Sequence, residues 1–202
     1  MKSMYKSSEK EIVYLESTNI KLLTTVEGPL FNTGLDSNNK MKILVNITFP
    51  TYSDIAMKNY EKQNLENVIV KLLNKVIFIE KYDKSVMIIN LELIEFNSEI
   101  LHYCMIAIMN VLCNLSIEIK GILTCSNVIL DKNDEIVIDP NKEQEKNCKE
   151  RLQIACLVEV EEIVLVIKDG KSNDDENIFK KLLTESLAVC KIYHDYIVSN
   201  LN

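Results

Sequence analysis

Two histidines, His102 and His194, are the side chains able to act as base for a serine or cysteine nucleophile. His102 lies inside the apolar run Ile100 to Cys113, where an imidazole is either a satisfied core group or a catalyst. His194 sits in Tyr193-His194-Asp195-Tyr196, which reads either as a solvated or interface position or as a base. Neither lies near a G-x-S-x-G elbow. Two carboxylate groupings, Glu159 with Glu161 and Glu162, and Asp139 with Glu143 and Glu145, carry the oxygen ligands that Mg²⁺ prefers. Strand neighbours point to opposite faces, so the first grouping also reads as a solvated hairpin end. The second surrounds a strand-to-loop corner and also reads as a turn with exposed acids. Lys58 and Lys62 share one helical face and could meet RNA phosphates, or simply face solvent.

Other chemistries lack their residues. With 4 Gly in 202 residues there is no Gly-rich phosphate loop, and neither G-x-G-x-x-G nor a Walker sequence occurs. The 6 Cys show no C-x-x-C pairing and read as reduced core thiols rather than zinc ligands or disulfides. Aromatic side chains are scattered, with 8 Tyr, 5 Phe and no Trp, so no base-stacking platform stands out. The net charge of −7 gives no general attraction to nucleic acid or anionic lipid. Of the 23 basic residues only Arg151 is an arginine, so a multi-arginine phosphate clamp cannot be built. No cofactor is expected. The polar first residues lack an apolar h-region and no apolar run is long enough to span a bilayer, so a soluble intracellular protein without a membrane partner is expected.

The elements that must hold these groups follow from periodicity. At 47% hydrophobic and 26% charged the chain is of globular composition. Strands are predicted at Ile12 to Leu15, at Ile20 to Val26 with Gly28-Pro29 as its stop, and at Ile43 to Phe49, with Leu44 breaking the alternation. A helix capped by Ser53 or Asp54 is periodic at Leu65, Val68, Ile69, Leu72, Leu73 and Val76. Val86 to Phe96 reads as a strand, followed by a buried helix from Asn97 or Ser98 to about Leu115. A hairpin joins Ile122 to Leu130 with Glu135 to Ile138, then a polar segment Asn141 to Glu150 precedes strands Leu152 to Val160 and Ile163 to Ile167. The last helix starts near Asp174 and Asp175, with Ile178, Phe179, Leu182, Leu183, Ser186, Cys190, Tyr193 and Ile197 on its apolar face. The expected organisation is a flexible N-terminus over residues 1–10 and one two-layer α/β domain over 11–202, a mixed sheet with packed helices.

Three stretches in this order resemble the ribonuclease PH family. They are the strand from Ile20 ending at Gly28-Pro29, the strand Val86 to Phe96 running into the buried helix, and the corner Ile136 to Lys146 followed by a strand and a long final helix. The Asp139-Pro140 and Gln144-Glu145-Lys146 wording is most similar to one eukaryotic ring subunit of the RNA exosome. The resemblance implies a ribonuclease PH-like α/β (α+β) fold and, in active members, phosphorolytic 3′→5′ cleavage of RNA. Such members carry arginines on the helix after the third strand; the matching region here offers Lys58 and Lys62. They carry a hydroxylated or small residue in the buried helix, where this chain has Met105 to Met109. The resemblance places the family's catalytic aspartate on Arg151, or on Leu152 with the register moved by one, so Arg151 and Asp139 mark a degenerate site.

Phosphorolysis needs cations to offset the repulsion between phosphate and backbone, and an acid to protonate the leaving group. With a cation at position 151 the resemblance therefore implies a non-catalytic subunit of the hexameric exosome ring, supporting RNA processing and degradation in nucleus and cytoplasm. Its implied partners are other ribonuclease PH-like subunits, RNA-binding cap subunits and RNA in the ring channel; the isolated chain could also form a homodimer. Two other classes stay open: an active phosphorolytic exoribonuclease or Mg²⁺-dependent nuclease using Asp139, Glu143 and Glu145, and a free-standing homodimeric interaction module.

Overall fold

The computed structural model describes residues 2–7, 10–31, 40–50, 59–170 and 176–201. The predicted helix caps Ser53 and Asp54, the lysine Lys58, and the predicted start of the last helix at Asp174 and Asp175 lie outside the described residues. The α/β class expected from the sequence is the one observed, with its strands shared between two sheets instead of one. Two compact units result.

The first unit, built from residues up to Phe96 and from Ala107 to Lys120, holds a mixed sheet in the order β1-β2-β3-β5-β4. Its strands are β1 (Lys2–Ser7), β2 (Lys10–Glu16), β3 (Ile20–Phe31), β4 (Lys42–Thr48) and β5 (Ser85–Phe96). β1 pairs antiparallel with β2, in a segment the sequence left outside the domain. β4 alternates buried Ile43, Val45 and Ile47 with exposed Lys42, Leu44, Asn46 and Thr48, so Leu44 keeps the period of two by facing out. β4 runs parallel to β5, which requires a crossover; α1 (Asn59–Val76) provides it. Its residues Ile69, Leu72, Leu73 and Val76 are buried at helical spacing.

Gly28-Pro29 does not stop β3. The strand continues to Phe31, and the pairing with β5 shifts register between Glu27 and Leu30, so the extra residues are absorbed as a bulge. At the other side of the sheet β4 would expose unpaired N–H groups. Glu66 on α1 closes part of that edge, accepting the Ile47 N–H at 2.9 Å while Lys62 approaches it at 3.7 Å. Glu66→Ala should therefore cost about 1–2 kcal/mol, because a partly buried backbone donor loses its acceptor. Lys62→Ala should cost under about 0.5 kcal/mol, since only a surface ion pair is lost. Denaturant midpoints of the two variants check the contrast.

The second unit contains Asn97–Ile106 and Gly121–Asn200. Its antiparallel sheet has the order β7-β6-β8-β9, from β6 (Leu123–Leu130), β7 (Ile136–Ile138), β8 (Glu150–Leu157) and β9 (Glu162–Gly170). α4 (Glu176–Ser199) covers one face, packing Leu182 and Cys190 against Val128, Leu130, Leu152, Ile154 and Cys156. Each large apolar side chain fully withdrawn from water there contributes about 1.5–3 kcal/mol. Of its buried positions, Leu182, Ser186, Cys190 and Ile197 belong to the face predicted from sequence, and Val189 widens that face. β6 is buried along its whole length, so it lacks the alternation of a half-exposed strand.

α2 (Leu101–Asn114) contributes its first half to the second unit and the rest to the first. It is buried from Leu101 to Leu112, as an all-round apolar helix must be. The helix starts later than predicted, because Asn97 and Ser98 form a bend in which Ser98 bridges to Asn141. All six cysteines are free thiols; Cys104, Cys125, Cys156 and Cys190 are buried, whereas Cys113 and Cys148 are only half-buried and so not core groups. Among the described residues no helix is long and apolar enough to cross a membrane.

Candidate functional site

The corner after β7 organises the candidate site. Asp139 adopts a left-handed backbone (φ 50°), and its N–H donates to the Asn127 carbonyl at 3.0 Å. That turn directs the chain into α3 (Lys142–Asn147), where the sequence led us to expect only a polar loop. α3 has no apolar face, so its signal lies in its cap alone. Asn141 Oδ1 accepts from the N–H groups of Glu143 and Gln144 at 3.0 and 2.9 Å, and Gln144 Oε1 accepts the Asn141 N–H at 2.9 Å. This is a capping box, legible as Asn-x-x-Gln.

α3 aims Glu145 inward. Its Oε1 accepts from Asn127 Nδ2 at 2.8 Å and from the Glu99 N–H at 3.2 Å. Burial raises the Glu145 carboxyl above its ordinary value, and the Asn127 hydrogen bond partly opposes it. β8 places Arg151 opposite Asp169 of β9. The guanidinium reaches Glu99 Oε2 through Nη1 at 3.4 Å and Asp169 Oδ2 through Nη2 at 3.6 Å. Glu145, Arg151 and Asp169 line an open cleft of about 480 Å³, together with Lys132, Lys146, Lys149 and Cys148.

Two of the three lysines at that cleft are engaged locally. Lys149 pairs with Asp134 at 2.7 Å, and Lys132 donates to Asn147 Oδ1 at 3.0 Å. The Cys148 thiol donates to the Glu145 carbonyl at 2.9 Å, and burial pushes it up, away from the reactive thiolate. A phosphate entering here would meet one guanidinium already held between carboxylates. A guanidinium is also no substitute for a carboxylic acid as the proton donor to a leaving group.

Asp139, sequence-grouped with Glu143 and Glu145, points elsewhere. Tyr193 on α4 donates to its Oδ2. His102 Nε2 lies 3.3 Å from Oδ1 without hydrogen-bond alignment, and neither ring nitrogen of His102 has a hydrogen-bond partner among the described residues. The His102 ring contacts Tyr103 with centroids 3.9 Å apart and stacks on Tyr193 at 6.3 Å. Burial alone brings the His102 imidazole down to about 3, so it is neutral across the physiological range. The Asp139 carboxyl is raised by burial, against the Tyr193 hydrogen bond. His102 is 1% exposed, which makes it a core group remote from solvent.

The remaining candidates separate. Glu159 caps the Ile122 N–H with both carboxylate oxygens, at 3.0 and 3.1 Å, and faces His194 Nε2 at 3.2 Å. Gly121 leaves room for it, since a Cβ there would come within 2.9 Å of Glu159 Oε2. His194 Nδ1 meets Asp195 at 3.2 Å, so the histidine bridges two carboxylates. Glu161 and Glu162 are exposed at the turn between β8 and β9. Among the described residues no group of three His, Cys, Asp or Glu side chains could hold a metal ion. Lys62 is tied to Glu66, as above. Glu99 and Asp169, which hold Arg151, were not singled out from sequence; they lie far from it along the chain and no local spacing marks them.

Comparison with known proteins matches two family models, "3′ exoribonuclease family, domain 1" over residues 8–118 and "3′ exoribonuclease family, domain 2" over residues 122–188. Among solved structures the chain is similar to rice (Oryza sativa) Rrp46, with 14% identity, a TM-score of 0.79, and coverage of 98% of this chain and 90% of that one. It is also similar to an Archaeoglobus fulgidus exosome with RNA bound to the active site, with 13% identity, a TM-score of 0.72, and coverage of 96% and 84%. No curated relative matches the sequence. At such identities the solved structures speak for the fold, and the family models, which between them take in β2 to β9 and the first half of α4, speak for descent. The chain belongs to the ribonuclease PH family of 3′ exoribonucleases.

Proposed function

We propose that the chain is a non-catalytic subunit of an RNA exosome ring, most like Rrp46, working in nucleus and cytoplasm. It would complete the channel through which RNA 3′ ends reach nuclease subunits, beside other ribonuclease PH-like subunits and RNA-binding caps. The observation that carries this reading is Arg151, standing where the resemblance puts the catalytic aspartate and held between Glu99 and Asp169. Phosphorolysis there would lack both a proton donor at that position and an uncommitted cationic fork for phosphate. The similarity to rice Rrp46 and to an archaeal exosome supports the ring assignment. A ring closes only when each subunit offers two different surfaces, so assembly is the property to measure.

Co-expression with candidate ribonuclease PH-like subunits, followed by native mass spectrometry, should yield a heteromeric ring containing one copy of this chain. A chain that stays monomeric, or pairs only with itself when those subunits are present, overturns the proposal. A second reading rests on Glu145, a carboxyl in the cleft raised by burial and thus a candidate general acid. It predicts RNA turnover that Glu145→Gln abolishes.

A further inference from the structure

We draw no further inference here: the strongest candidate, the apolar groove between β9 and α4 lined by Cys156, Val158, Ile163 and Leu187 with exposed Val160 nearby, carries nothing because nothing in the structure shows what covers it.

Discussion

His102→Phe should leave the protein more resistant to acid than the parent chain between pH 6.5 and about 3. The sign follows from linkage. The unfolded chain takes up a proton at this imidazole near its ordinary value of 6.5, whereas the folded chain resists until about 3. Between those values the unfolded state binds more protons, so stability falls as pH falls. The window spans about 3.5 pH units at about 1.4 kcal/mol each, which sets a ceiling of about 5 kcal/mol on the effect. Phe keeps a ring of similar size against Tyr103 and Tyr193 and removes the titration.

Asp139 works in the opposite sense. Its folded value is raised, so protonation favours the folded state as the pH drops, and the parent profile contains both contributions. Comparing parent and variant at each pH isolates the histidine. Denaturant midpoints at pH 7, 5 and 4 should converge or cross for the two proteins as acid is added. Parallel profiles would show that His102 takes up its proton equally in both states.

Gly28→Ala should cost about 3 kcal/mol or more, a large fraction of the stability of an ordinary domain. Gly28 has φ 115°, a region that L side chains rarely enter, and a Cβ there would lie 2.6 Å from the Val86 carbonyl and 3.2 Å from Met87 Cα. Both obstacles are backbone of the neighbouring central strand, which cannot move aside without breaking the β3–β5 ladder. Gly121→Ala offers the contrast. Its closest neighbour is the carboxylate end of Glu159, a flexible side chain, so a smaller loss is expected. Soluble yield and thermal midpoints of the two variants test this; equal losses would sink the steric argument.

Much of the fold was legible in the sequence because burial wrote it there. The stripe from Ile178 to Ile197 predicted the buried face of α4, and the unbroken apolar run of α2 predicted its enclosure. Other features escaped for identifiable reasons. Gly28-Pro29 looked like a stop because those residues commonly end strands, but a bulge in the β3–β5 pairing carries the strand onward. α3 is polar throughout, so periodicity is silent and only the capping box announces it. The division into two units falls inside α2, a helix with no break in composition, where no linker could betray it.

The site divides in the same way. Position 151 stood out because a cation replaced an acid expected from the resemblance. What holds it could not be read, since Glu99 comes from the bend before α2 and Asp169 from the paired strand β9. Conversely, Asp139 and Glu145 looked like one carboxylate cluster because only five residues lie between them. The left-handed turn at Asp139 and the start of α3 send the first toward Tyr193 and His102 and the second toward Asn127 and Glu99. Proximity in sequence failed here because the backbone reverses between the two groups.

Turnover of RNA tests the account most directly. A 3′-hydroxyl oligonucleotide would be incubated with inorganic phosphate and Mg²⁺, using the chain alone and the chain co-expressed with the candidate ring subunits proposed above. With Arg151 clamped between carboxylates, the isolated chain should release no nucleoside diphosphate above a protein-free control, and any activity of the assembly should be indifferent to Asp139→Asn or Glu145→Gln in this subunit. Phosphate-dependent shortening from the 3′ end that either substitution abolishes, in variants that remain folded, would contradict it.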